Sequence, residues 1–178
     1  MGRGSVVMGR LPTEVVPDLE WVKASVGHEL RGGGSVYAEL RFKSRFKYRT
    51  VAFAQTVDSR WEFCQKNWLE SDVIVRNEGQ DEIVATMTLD GKWAGILVRP
   101  EDRRMITTLR WSNFGTWDTE DDWVIRYHNT SGFNTFQARI EVNAGIVHLS
   151  ELPLLITLGW YMKVLRYRSQ RSALFLAP

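Results

Sequence analysis

The run Arg41-Phe42-Lys43-Ser44-Arg45-Phe46-Lys47-Tyr48-Arg49 is the segment most able to do chemistry. In an extended strand successive side chains point to opposite faces. Arg41, Lys43, Arg45, Lys47 and Arg49 then share one face, with Phe42, Phe46 and Tyr48 on the other. Such a ladder of cations suits the phosphates of lipids or nucleic acids. The alternative is a solvated outer face, balanced by acids such as Glu62, Glu82 or Glu141 on neighbouring strands. A second basic group, Lys163, Arg166, Arg168 and Arg171, follows a long apolar stretch, and no acid follows Glu151. Each basic residue near an anionic membrane contributes about 1 kcal/mol, enough in a group for weak reversible binding. Equally, these cations would complement the negative end of a helix. The candidate residues for an anionic surface are Arg41, Lys43, Arg45, Lys47, Arg49, Arg166 and Arg168.

Other chemistry finds little support. The histidines are His28, His128 and His148, and His28-Glu29 has Gly32 where a zinc-binding helix would place its second histidine. Asp118, Glu120, Asp121 and Asp122 cluster, but the glycine and closing glutamate of an EF-hand are missing, so a solvated turn is expected. The single cysteine, Cys64, has no internal disulfide partner and reads as a small packed side chain. No P-loop and no G-x-S-x-G elbow is present. The sequence therefore predicts a non-enzymatic domain with no catalytic residues, no metal site and no cofactor. Formal net charge is +2, from 23 basic and 21 acidic side chains, too little to argue for nucleic acid. The expected partner is an anionic lipid surface. The expected state is a monomer in the cytoplasm, peripheral to membranes. Met1 to Pro12 has no apolar run of the kind a signal peptide needs.

Which elements would position these residues? The chain of 178 residues fits one domain. Residues 1–34 read as irregular, with a short helix over Leu19–Leu30 carrying Leu19, Val22 and Val26 on one side. Gly32-Gly33-Gly34 would end it as a flexible joint. From Ser35 to Asn143 the period is two. Phe136, Ala138, Ile140 and Val142 alternate with Gln137, Arg139, Glu141 and Asn143, the mark of a half-buried strand. Ile83, Ala85, Met87 and Leu89 alternate similarly. Asp90-Gly91 and the run Lys92 to Val98 follow, and together they predict a hairpin. Val51–Val57, Val73–Asn77, Met105–Trp111 and Trp123–His128 read as further strands, with turns at Arg99–Asp102 and Asn113–Asp122. No helical pattern interrupts them, so antiparallel connections are expected.

After Leu149 the period changes. Ser150 can cap a helix, Glu151 suits its positive end, and Pro153 is tolerated in a first turn. Leu152 to Leu165 is apolar on every side, which requires surrounding protein or lipid. Its length, about 21 Å, is short of a bilayer core of about 30 Å, so burial in protein is expected. Gly159 would let neighbouring backbone approach closely. A mainly β domain that must surround one helix suggests a closed antiparallel barrel of about twelve strands. Phe42, Phe46, Trp93, Phe136 and Ile140 would pack inward on Leu155, Leu158, Met162 and Leu165. Residues 35–171 would form that domain, with the helix at 151–165 and a tail at 172–178.

With LPLLITLGWYMKVL followed by RYRSQR behind a strand-rich region, the chain resembles the superfamily of tubby C-terminal, LURP-one-related and phospholipid-scramblase domains. The resemblance implies a twelve-stranded barrel around an apolar C-terminal helix, with a leaning toward phospholipid head groups. It carries no site residues across. Two other arrangements compete: a lipocalin-like barrel with an empty interior and an external helix, and a chain anchored in a membrane by 152–165.

Overall fold

A computed structural model of the chain describes residues 8–11, 18–43, 51–65, 72–89, 95–98, 109–112, 115–130, 137–147 and 149–175. Among these are twelve strands: β1 Leu19–Ala24, β2 Gly27–Gly32, β3 Ser35–Phe42, β4 Val51–Thr56, β5 Arg60–Gln65 and β6 Val73–Asn77, then β7 Ile83–Leu89, β8 Gly95–Val98, β9 Leu109–Trp111, β10 Thr116–Asp118, β11 Trp123–Asn129 and β12 Ala138–Val142. A short 3-10 turn, Ala144–Ile146, leads toward α1, Leu152–Phe175. The protein is thus mainly β, one large antiparallel sheet with a C-terminal helix, as the alternating pattern predicts.

Each strand pairs antiparallel with its sequence neighbours. β1 also pairs with β12, Leu19 opposite Ile140 and Trp21 opposite Ala138. The order of hydrogen-bonded neighbours therefore runs from β1 through β12 down to β2 and returns to its start. Alternate residues of most strands supply the core. Ala138 and Ile140 are buried while Arg139 and Glu141 are exposed, and Ala52, Ala54, Phe63, Val73, Val75, Ala85 and Met87 repeat the pattern. Ile83 departs from it: the register shifts between Val75 and Arg76, and Ile83 is left exposed.

Three expectations need correction. Leu19–Leu30 is not a helix but the hairpin β1–β2. Leu19, Val22 and Val26 fit a helical spacing by chance, whereas the buried set is Leu19, Trp21, His28 and Leu30, and Val26 is 60% exposed in the turn. Nor are the glycines a hinge. Gly33 and Gly34 have φ of 53° and 80° and join Gly32 to its partner Ser35, the two-residue turn with both central φ positive that a β-hairpin prefers. Asn113–Asp122, read as a turn throughout, contains β10. The turn at Asp90-Gly91 lies outside the described residues, but Leu89 does pair with Gly95 across it.

The helix is buried on all sides over its first half. Leu152, Leu154–Met162, Val164 and Leu165 are all buried. It is longer than its apolar run, 24 residues and about 36 Å. Apolar composition marks where a helix is buried, not where its hydrogen bonds stop. No glycine or proline follows Gly159 until Pro178. Ser150 donates to the Glu151 carboxylate rather than capping. Arg166, Arg168 and Arg171 lie within the helix, so they do not cap its end. No helix among the described residues is long and apolar enough to cross a membrane. A lipocalin-like arrangement requires an external helix; among the described residues α1 is instead buried over its first half.

Gly159 does allow close approach, but of side chains rather than backbone. Trp117 Nε1 donates to the carbonyl of Leu155 at 2.9 Å. Tyr127 Oη reaches the carbonyls of Leu155 and Ile156 at 3.1 and 2.8 Å. On the opposite side Trp160 stacks on Trp21 of β1 and Tyr161 on Phe42 of β3, with centroids 5.6 and 5.9 Å apart. The indole nitrogens of Trp21 and Trp160 are buried with no hydrogen-bond partner among the described residues. Each such group costs about 1–3 kcal/mol. Burying a ring of about 150–250 Å² at roughly 25 cal/mol/Å² outweighs that.

Candidate functional site at the helix-exit end

Antiparallel pairing puts the C-terminal ends of β1, β3 and β5 beside the N-terminal ends of β2, β4 and β6. The terminal pairs Ala24–Gly27, Phe42–Ala52 and Gln65–Val73 mark this end. α1 reaches the same end: Trp160 meets His28 edge-on at 5.5 Å, and the Arg168 guanidinium lies 4.0 Å above the Phe42 ring. Two basic groups far apart in sequence, on β3 and on α1, therefore meet through Phe42. Arg168 on an aromatic face gains cation–π attraction.

Arg41 and Lys43 point outward on either side of Phe42. The Arg41 guanidinium is bonded to the Glu39 carboxylate, two residues away on the same face. Glu39, rather than Glu62, Glu82 or Glu141, is thus its balancing acid, and Glu141 is engaged by His128 at 2.9 Å. Lys43 has its ammonium 5.6 Å from the Phe53 ring centre. Arg45, Lys47 and Arg49 lie outside the described residues. Arg166 is half-buried on α1.

Two residues join this group that sequence spacing did not assign, Lys23 and His28, and Lys163 of the second basic group lies with them. Lys23, at the end of β1, is exposed. Its charge and that of Arg168 both act on His28, whose pKa falls to about 4, chiefly through burial and then through these two cations. Lys163 is half-buried, and its pKa falls to about 8 through burial and the nearby Arg166. The signal for Lys23 and His28 was the alternation Leu19–Trp21 and His28–Leu30, which identifies the hairpin.

The opposite end carries the other sign. The turns β4–β5, β6–β7 and β10–β11 hold Asp58, Glu78, Asp81, Glu82, Glu120, Asp121 and Asp122. Arg10 pairs with Asp58 at 2.6 Å and Arg60 approaches Glu78 at 3.8 Å. The acidic run is a hydrogen-bonded turn, as expected: Thr119 Oγ1 accepts from the amides of Asp121 and Asp122. Among the described residues, acids thus outnumber cations at the end where α1 begins, and cations gather where the helix leaves the sheet.

Comparison with family models, curated proteins and solved structures finds no match to this chain.

Proposed function

We propose that this protein is a non-enzymatic domain that docks reversibly on anionic membrane surfaces through the end at which α1 leaves the sheet. The observation that carries this reading is the gathering of Lys23, Lys43, Lys163, Arg166 and Arg168 at that end, with the acidic turns at the other. A field polarised along one axis orients the molecule before contact, cations toward the lipid. Each cation near the surface adds about 1 kcal/mol, so the group supports weak and salt-sensitive binding. On this reading the antiparallel sheet and its buried apolar helix form the barrel that the resemblance to tubby, LURP-one-related and scramblase domains implies, and that resemblance leans the same way.

Flotation with phosphatidylcholine vesicles, with and without phosphatidylserine, tests it. The protein should float only with the anionic vesicles and be released at high salt. Arg166→Glu with Arg168→Glu should weaken binding by at least ~100-fold, since each reversal removes one attraction and adds a repulsion. Arg41→Glu should do less, because Glu39 already holds that charge. Equal flotation with neutral vesicles, or binding indifferent to the double reversal, would sink the assignment to this end.

A further inference from the structure

Two apolar points stand at the end where α1 leaves the sheet. The first is Val26, the most exposed large apolar residue among those described. It shares the tip of the β1–β2 hairpin with Ser25. Gly27, with φ of 93°, closes this turn so tightly on β3 that the Leu40 carbonyl occupies the place of any side chain there. The tip is therefore fixed beside Leu40 and Arg41, with Val26 at the surface. The second point is the end of α1. Leu165 is the last of its buried residues, and residues 166–175 continue the helix for about 15 Å. Along this stretch composition turns from basic to apolar: Arg166, Arg168 and Arg171 come first, then Ala173, Leu174 and Phe175. An anionic bilayer offers the matching order, phosphates outside and hydrocarbon within. The other exposed large apolar residues, Val57 and Ile83, lie with Asp58, Asp81 and Glu82 at the far end, which such a surface repels.

We propose that docking is completed by shallow insertion, in which the last turn of α1 and the Val26 tip enter the acyl boundary of one leaflet while the arginines before that turn stay at the phosphates. This inference rests on the docking reading and adds depth and orientation to it: α1 stands steeply to the membrane plane. Phe175 follows Arg168 by seven residues, about 10 Å along the axis. Apolar groups at a bilayer interface enter to about 5–10 Å, so the helix end reaches that boundary when Arg168 is level with the phosphates. Neither apolar point is large enough to hold the protein on neutral lipid. Charge brings the molecule to the surface, and insertion slows its departure.

The test uses the full chain with vesicles of phosphatidylcholine and phosphatidylserine. Leu174→Ala with Phe175→Ala removes apolar surface but no charge. It should weaken binding at least ~10-fold and leave the salt dependence unchanged, whereas Arg166→Glu with Arg168→Glu flattens that dependence. Depth is read from an NBD fluorophore on a cysteine introduced by Val26→Cys or Phe175→Cys in a Cys64→Ser background, with Val57→Cys as the control at the acidic end. On binding, the probes at 26 and 175 should shift to the blue and be quenched by lipids spin-labelled high on the acyl chain; the probe at 57 should do neither. A parent protein that ignores the anionic vesicles would sink the docking reading and this inference with it. Binding with a water-like spectrum at 26 or 175, or binding undiminished by the double alanine change, would overturn insertion alone and leave docking intact.

Discussion

Gly159→Ala should lose about 3 kcal/mol of stability, read as a lowered urea midpoint with an unchanged slope. Helix propensity alone points the other way, favouring alanine by about 1 kcal/mol. Steric contact decides. An added Cβ would lie 2.7 Å from Tyr127 Cζ and 2.8 Å from Trp117 Nε1, and it would overlap the Tyr127 hydroxyl. Neither ring can retreat freely, since both are bonded to carbonyls of α1. Withdrawing them forfeits buried hydrogen bonds, each worth about 1–3 kcal/mol when a group is left unsatisfied. Tyr127→Phe is the control. It removes the hydroxyl for about 1–2 kcal/mol but leaves the ring carbon, so it should not rescue Gly159→Ala. A Gly159→Ala protein as stable as the parent would mean that helix and wall can separate without cost.

Acid should weaken the fold through His28. Its pKa is about 4 in the folded protein against an ordinary 6.5, because it is buried between Phe42 and Trp160 and faces Arg168 and Lys23. Between these values the unfolded chain binds a proton that the folded chain refuses. Stability from this group is complete above pH 6.5, falls as pH drops toward 4, and falls no further below that. The loss is about 3 kcal/mol. Urea titrations at pH 7 and pH 4 measure it. In His28→Leu the difference between the two pH values should shrink by about that amount. An unchanged pH dependence in the variant would assign acid lability elsewhere.

Alternation exposed some elements directly. Ala138–Val142 and Val73–Asn77 pair as their patterns require, and Ile83–Leu89 forms a hairpin with Gly95–Val98. The apolar girth of Leu152–Leu165 was likewise enough to demand burial. What escaped notice depended on distant partners. β10 is three residues long and takes its identity from Trp111 and Ile125 on its neighbours. The β1–β2 hairpin was obscured by three apolar residues that also fit a helix. Of the candidate site, Arg41, Lys43, Arg166 and Arg168 were visible as charges. Their meeting was not, because Arg168 reaches Phe42 only once α1 has passed through the sheet. The engagement of Arg41 by Glu39 was open to a reader who noted that residues two apart in a strand share a face.

The placement of α1 has a consequence for biosynthesis. All twelve described strands precede it in the chain, yet it supplies much of the core against which their apolar faces pack. A nascent chain emerging from the ribosome has its wall before it has its centre. Until Leu152–Leu165 is extruded, Trp21 lacks Trp160, Phe63 lacks Tyr161, Trp117 and Tyr127 lack the helix carbonyls they bond, and β1 must wait for β12. Such a polypeptide exposes strands and large rings throughout translation, a state in which chains aggregate or engage chaperones. Folding that depends on such distant contacts is also slow. Ribosome-bound chains arrested before Leu152 should therefore remain sensitive to protease, and protection should arrive in one step once the helix clears the exit tunnel.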